Sequence, residues 1–187
     1  MNLLALNGYI SRINLALAKL TKTEIDAALS VLGEAMDSGN HIWIAGNGGS
    51  AATASHFATD LSRCSNSNGA PVRGISLCDN SGLITAIGND FGFDYIFARQ
   101  LSNAAVEGDL LVVLSASGNS RNLLVAMEWA RVNGVKILAL TGFGGGQVKD
   151  FTDISIHVPT EIGDYGVAED AHSIICHFLS SQFRTNG

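Results

Sequence analysis

Two short segments rich in glycine and serine contain the residues best suited to bind an anion. Residues 46–50 have the sequence GNGGS and residues 115–120 have SASGNS, and each follows an apolar run and precedes a segment with helical spacing. Backbone N–H groups at a helix start are free to donate hydrogen bonds, and the helix dipole adds partial positive charge there. Either segment alone could be an ordinary turn or helix cap. Two of them at the carboxyl ends of parallel strands share one crevice and predict a phosphate site.

The first segment also matches part of the dinucleotide-binding fingerprint. Gly46, Gly48 and Ala51 fit the pattern G-x-G-x-x-A, which begins many nicotinamide-binding folds. The acidic residue expected about 20 positions later, at the end of the second strand, would have to be Asp79, which lies further along the chain. No Gly-Lys-Ser/Thr follows, so the segment is not a Walker A loop. A nicotinamide-dependent enzyme therefore stays open as an alternative.

A second group of residues has the chemistry to bind a metal ion or to transfer protons. His56 and Asp60 are four residues apart, which places them on one face of a helix. Glu169, His172 and His177 lie in an otherwise apolar final segment, where polar side chains that face a core need partners. The same residues could equally be hydrogen-bonded core side chains or solvated surface charges.

The spacing of Glu169 and His177 limits how they could share one ion. Eight residues of straight helix rise about 12 Å, too far for both side chains to bind one metal comfortably. Either the chain near Glu169 is not helical, or the site is completed across a subunit interface. The second alternative predicts an oligomer.

The elements that must position these residues alternate along the chain. Apolar side chains in residues 3–36 recur every three or four positions and predict two helices, broken near Thr21 and Lys22. Buried parallel strands are predicted at 41–45, 72–77, 109–114, 136–140 and 154–158. Helices are predicted between and after them at 50–62, 81–87, 95–106, 119–132, 146–151 and 167–183.

This order predicts an α/β fold, a doubly wound five-stranded parallel sheet with an N-terminal helical segment. We expect one domain over residues 1–187, with the N-terminal helices in 1–38 and the α/β core with its C-terminal helix in 39–187.

Composition excludes several classes of partner. The net charge is −6 without a cluster of lysine or arginine, so the basic surface that nucleic-acid binding needs is missing. The three cysteines have neither the spacing of a disulfide framework nor that of a zinc site. No signal peptide or membrane span is indicated. We therefore expect a cytoplasmic protein with no nucleic-acid or membrane partner.

Five segments occur along the chain in the order IAGNGGSA, HFATDL, AIGNDFGFDYIF, LSASGNS and EDAHSIICH. Together they resemble the phosphoheptose isomerases of the sugar isomerase (SIS) family. The similarity runs from about residue 41 to residue 183. The resemblance implies a homotetramer with sites at subunit interfaces and one zinc ion per subunit. It also implies that the substrate is a phosphorylated sugar, with sedoheptulose 7-phosphate converted to D-glycero-D-manno-heptose 7-phosphate, a precursor of surface polysaccharide.

The resemblance assigns roles to individual residues. It implies metal ligands at His56, Asp60, Glu169 and His177, with Asp60 and His177 as the catalytic pair. Asp60 stands where the family commonly has Glu, and Glu169 where it commonly has Gln; the shorter Asp would withdraw the base by about 1.5 Å, one methylene. The expected substrate contacts are Asn47, Gly48, Gly49, Ser50, Asn89, Asp90, Ser115, Ala116, Ser117, Ser120 and Glu169, with Ala116 in place of a common Thr.

The same family includes proteins without catalytic activity. Some SIS relatives are sugar-phosphate-binding regulators or adaptors of a replication initiator, and those adaptors tend to lack the metal ligands. The presence of His56, His177 and two carboxylates favours an enzyme, with the regulator or adaptor as the alternative.

Overall fold

The structure, a computed structural model, describes residues 3–184 and contains one parallel sheet of five strands. Neighbouring strands follow the order β2-β1-β3-β4-β5, and every pair is parallel. The prediction of a doubly wound five-stranded sheet is confirmed. The strands are β1 (His41–Gly46), β2 (Arg73–Ser76), β3 (Leu110–Ser115), β4 (Lys136–Thr141) and β5 (Ile154–His157).

Helices cover both faces of this sheet. Side chains of α1, α2, α3 and α8 form one core with one face, and those of α4 to α7 form the other core with the opposite face. The helices are α1 (Leu3–Leu17), α2 (Lys22–Asp37), α3 (Gly49–Leu61), α4 (Ser81–Asp90), α5 (Ala98–Ala104), α6 (Arg121–Val132), α7 (Gly146–Phe151) and α8 (Tyr165–Ser181).

The short apolar runs of the sequence are explained by burial on both faces. In β1, Ile42 and Ile44 pack in the core with α2, α3 and α8, whereas Trp43 and Ala45 pack in the core with α5 and α6. Since neither face meets water, successive residues are all apolar and no alternation is visible.

The boundary between the two N-terminal helices is set by a capping box. The Thr21 side chain accepts a hydrogen bond from the backbone of Glu24, and the Glu24 carboxylate accepts one from the Thr21 backbone. These contacts satisfy N–H groups that a new helix leaves without partners, so α2 begins where the sequence predicts a break.

The helix predicted over residues 95–106 is divided in the structure. A 3-10 turn spans Phe93–Tyr95, and α5 ends at Ala104. The end is fixed by Asp109, whose buried carboxylate accepts a hydrogen bond from the Val106 backbone at 3.1 Å. Val106 therefore turns away from the helix toward the start of β3.

The sheet order places the two candidate phosphate loops side by side. β1 and β3 are direct neighbours, and their following helices α3 and α6 lie on opposite faces of the sheet. This is the switch point at which open parallel sheets bind ligands. Among residues 3–184, none of the helices is both long and apolar enough to span a membrane.

Candidate active site

A cavity of about 150 Å³ lies where the loops after β1 and β3 meet. Most of the expected substrate contacts line it, which confirms that the two loops share one crevice. Its lining residues are Asn47, Ser50, Leu114, Ser115, Ala116, Ser117, Ser120, Leu123, Tyr165 and Glu169.

A reciprocal amide pair joins the two loops. The Asn47 side chain donates to Oδ1 of Asn122 at 2.9 Å, and the Asn122 side chain donates back to Oδ1 of Asn47 at 2.9 Å. Asn122 is buried at the start of α6. The pair fixes the loop after β1 against the helix that follows the other loop, a role for Asn122 that the sequence alone did not indicate.

The second loop is shaped by its own hydroxyl groups and by one glycine. Ser115 Oγ accepts a hydrogen bond from the Gly118 backbone at 3.0 Å. Gly118 has φ +66°, and a Cβ there would stand 1.8 Å from the Gly145 carbonyl oxygen. Only glycine fits this position, so the tight bend that exposes Ser117 and Ser120 depends on it.

Glu169 reaches across to the first loop. A Cβ on Gly49, the first residue of α3, would lie 2.2 Å from Glu169 Oε2. Any side chain at Gly49 would therefore displace this carboxylate. Burial raises the pKa of Glu169, and the neighbouring charge of Asp170 acts in the same direction.

Three helices begin around the cavity. α3 begins at Gly49, α6 at Arg121 and α8 at Tyr165, and each contributes a lining residue at its start or directly beside it. No lysine or arginine of residues 3–184 lines the cavity. Partial positive charge at the cavity therefore comes from backbone N–H groups and helix dipoles, and the Glu169 carboxylate in the lining opposes it.

A second cluster brings together three of the four expected metal ligands. His56 Nε2 and His177 Nε2 are 3.1 Å apart, and Asp60 Oδ2 lies 3.6 Å from the first and 3.7 Å from the second. Asp60 Oδ2 is buried and has no hydrogen-bond partner among residues 3–184. An orphaned carboxylate oxygen facing two imidazoles is an arrangement that could hold a metal ion.

Distances within this cluster fit a zinc ion. Two ligand atoms at about 2.0–2.1 Å from a tetrahedral zinc stand about 3.3–3.4 Å apart, and the three measured separations bracket that value. His56 and His177 side chains are 59% and 50% exposed, so the open side of the cluster faces outward.

Glu169 is not part of this cluster. Among residues 3–184 the group of potential ligands consists of His56, Asp60 and His177. α8 is helical through both Glu169 and His177, so the alternative in which the chain near Glu169 is not helical is wrong. The structure places Glu169 at the cavity between the two loops, and completion of the metal site across a subunit interface stays a prediction.

Two helices connect the cavity with the three candidate metal ligands His56, Asp60 and His177, a group called here the metal cluster. Glu169 meets Gly49, and His177 meets His56, so α3 and α8 run side by side in the same direction. The sites lie at the two ends of this contact, separated by about 12 Å of helical rise.

Asn89 and Asp90 do not join either group. They lie at the end of α4, exposed, and the Asn89 side chain donates to Asp90 Oδ1 at 2.8 Å. Asp79, the residue required by the dinucleotide alternative, accepts a hydrogen bond from Ser55 on α3.

Tyr165 and Arg184 were also missed by the sequence analysis. Tyr165 lines the cavity and packs edge-on against Phe143, and Arg184 contacts Asp60. Neither belongs to a motif with a recognisable spacing. His172, whose role was open, is buried in the core of α8.

Comparison with known proteins identifies the class to which this fold and site belong. The family model described as SIS domain matches residues 7–142, more than half of the chain. The protein is a member of the SIS-domain family.

Individual relatives identify one family within this class. The chain is 45% identical over 136 residues to the phosphoheptose isomerase of Rhodospirillum rubrum, covering 73% of this chain and 72% of the relative. It is 40% identical over 155 residues to that of Campylobacter concisus, covering 83% and 81%. A phosphoheptose isomerase structure from Francisella tularensis superposes with a TM-score of 0.86 at 30% identity, covering 97% of each chain. The chain belongs to the phosphoheptose isomerase family.

Proposed function

We propose that the protein is an aldose–ketose isomerase that converts sedoheptulose 7-phosphate to D-glycero-D-manno-heptose 7-phosphate. The observation that carries this proposal is the alignment of an anion cavity and a metal cluster along α3 and α8. Because the two groups lie about 12 Å apart along the helix, a phosphosugar must extend over several carbons to reach both. A seven-carbon substrate suits this separation.

The phosphate group is the handle of the substrate. Hydroxyl groups of Ser115, Ser117 and Ser120 and the amides at the start of α3 would hold it in the cavity. Binding energy from this remote group orients the reacting carbons at the other end of the molecule.

Zinc is the metal that we propose for the cluster, one ion per subunit. His56, Asp60 and His177 would hold it, and a bound zinc supplies Lewis-acid polarisation of the substrate carbonyl. Glu169 was expected as a fourth ligand; its place at the cavity supports a substrate contact instead.

Proton transfer requires groups that exchange protons between adjacent carbons. Isomerisation through an enediol needs a base and an acid within reach of C1 and C2. Asp60 Oδ2 is buried and lies 3.7 Å from Nε2 of the half-exposed His177. We assign the two transfers to Asp60 and His177, and in the step in which either group would hold a proton, that group would not be bound to the ion.

A homotetramer with sites at subunit interfaces accounts for two further observations. Asn89 and Asp90 are exposed and away from the cavity, so a second copy of the chain is the means by which they reach substrate. Helix α1 also exposes large aliphatic side chains, which suit burial against another subunit: Leu3, Leu4, Leu6, Ile10 and Leu15. We place the protein in the cytoplasm, where free thiols such as Cys64, Cys78 and Cys176 persist.

The regulator or adaptor function is the second candidate. It requires the phosphate cavity but not the metal cluster. The close approach of His56, Asp60 and His177 has no use in a simple binding module, and this favours the enzyme.

The test follows the aldose product by NMR after sedoheptulose 7-phosphate is added, with and without zinc. His177→Ala is expected to abolish turnover while leaving binding of the sugar phosphate, measured by calorimetry, nearly unchanged. Ser181→Ala, an exposed substitution on the same helix, is the matched control and should retain full activity. Equal turnover by the His177 variant would refute the assignment.

A further inference from the structure

Arg184 forms an ion pair with one oxygen of the Asp60 carboxylate. Its Nη2 lies 2.6 Å from Asp60 Oδ1, and the Asp60 side chain is only 7% exposed. The other oxygen, Oδ2, faces His56 and His177 and has no hydrogen-bond partner among residues 3–184. The two oxygens of one carboxylate thus have separate surroundings.

The position of Arg184 is set by contacts outside the metal cluster. After α8 the chain turns back, and the Phe183 carbonyl oxygen accepts a hydrogen bond from the Ser65 backbone at 3.4 Å. The Phe183 ring packs over Gly33 of α2, where an added Cβ would meet it at 3.6 Å. Because Phe183 is anchored on two other segments, the next residue is directed toward Asp60.

We propose that Arg184 is a positioning residue that makes Asp60 a single-oxygen ligand. It holds Oδ1 by a charge-assisted hydrogen bond and leaves only Oδ2 to face the imidazoles. An aspartate on a short side chain has few ways to fix its orientation, and the guanidinium supplies one. The inference rests on the metal cluster of the proposed function and assigns a residue that holds a ligand rather than the ion.

Two effects of removing Arg184 oppose one another. Loss of a group that orients a metal ligand typically weakens metal binding about 10- to 100-fold. Loss of a positive charge near the cluster would strengthen binding of a cation, but Arg184 is 39% exposed, so solvent screens its charge. The orienting effect therefore dominates.

The test measures zinc affinity of the metal-free protein by competition with a chromophoric chelator. Arg184→Gln is expected to bind zinc about 10-fold more weakly, and Arg184→Lys to lose less because it keeps a cationic donor. Arg63→Gln is the matched control: Arg63 is exposed, lies just beyond α3 and makes no ion pair within residues 3–184. Unchanged or tighter zinc binding by Arg184→Gln would overturn the proposal.

A double-mutant cycle with Asp60→Ala distinguishes positioning from a general loss of structure. If Arg184 acts through Asp60, Arg184→Gln has no further effect on zinc affinity in the Asp60→Ala background; an equal loss in both backgrounds contradicts the proposal. Cobalt(II) gives a second measure, since freeing Oδ1 allows Asp60 to bind through both oxygens, and a higher coordination number weakens the visible absorption bands.

The outcomes also separate this inference from the proposed function. A wild-type protein that binds zinc with the predicted dependence on Arg184 but isomerises no phosphoketose would refute the proposed function alone. If the wild-type protein is active but Arg184→Gln binds zinc as tightly as the wild-type protein, only the inference is refuted.

Discussion

Three polar residues on α8 have three different surroundings. Glu169 lies against Gly49 at the proposed phosphate cavity, His172 is buried in the core, and His177 meets His56. Their environments follow from the neighbouring element that each one faces. Residue type alone does not distinguish the two histidines, and only burial shows that one is structural and one is available for chemistry.

His172 is expected to make the protein sensitive to acid. Burial lowers the pKa of His172 to about 4, and the nearby His157 contributes in the same direction. In the unfolded chain a histidine titrates near pH 6.5, so the unfolded state binds the extra proton between about pH 6.5 and pH 4. The free energy of unfolding therefore has its full value above about pH 6.5. It falls as the pH decreases through that range, by about 3 kcal/mol in total.

The measurement is the free energy of unfolding in urea between pH 4 and pH 7.5, with a chelator present. His172→Leu should show a flatter pH dependence than the wild-type protein. Contributions from the carboxylates are common to both proteins and cancel in the comparison. Parallel curves for the two proteins would contradict the burial argument.

Individual site residues were predictable where the spacing was local. His56 and Asp60 could be paired from a separation of four residues on one helix, and the structure brings them together. Arg184 could not be found in this way because its contact depends on the turn after α8 and on Phe183 packing over α2. No local pattern encodes that arrangement.

At the scale of elements, Asp109 connects β1, β3 and the end of α5. Its buried carboxylate accepts hydrogen bonds from the His41 backbone at 2.9 Å, the Trp43 indole at 2.8 Å and the Val106 backbone at 3.1 Å. One side chain thus aligns the starts of the two strands whose opposite ends bear the candidate phosphate loops.

Asp109→Ala is expected to lower the free energy of unfolding by about 3 kcal/mol, because it leaves the buried Trp43 indole and two part-buried backbone N–H groups without a partner, and a buried donor without a partner costs about 1–3 kcal/mol. Asp153→Ala is the control, since Asp153 is exposed and, within residues 3–184, accepts a hydrogen bond from the Ile137 backbone only. Chemical denaturation compares the two variants. A loss at Asp109 no larger than that at Asp153 would refute the proposed role.

The helices and strands themselves were largely predictable. Buried parallel strands are continuous apolar runs, and β3 with its six buried residues is the clearest example. The capping box of Thr21 and Glu24 likewise marks α2. The early end of α5 within residues 95–106 was missed because it depends on Asp109, a residue beyond the predicted helix, and helical periodicity does not report such a contact.

For the whole molecule, the metal cluster joins elements far apart in the sequence. His56 and His177 are 121 residues apart, and four of the five strands lie between them. A bound ion would therefore link α3 to α8 across most of the fold and should stabilise the folded state, as any ligand specific to that state does.

Zinc at about 100 times its dissociation constant is expected to stabilise the folded protein by about 2.7 kcal/mol. Thermal unfolding of chelator-treated and zinc-loaded protein measures this difference as a shift in the melting temperature. The shift should disappear in His177→Ala. A variant that keeps the full shift would place the ion elsewhere.

The starts of α3, α6 and α8 would give the proposed phosphate cavity partial positive charge that comes from backbone N–H groups and not from basic side chains. Backbone amides neither titrate between pH 5 and pH 9 nor react with acylating agents or dicarbonyls, and no lysine or arginine of residues 3–184 lines the cavity. Chemical modification of basic side chains should therefore leave phosphate recognition there intact. This partial positive charge is lost only if a helix terminus moves, because it depends on the path of the backbone and not on a basic side chain.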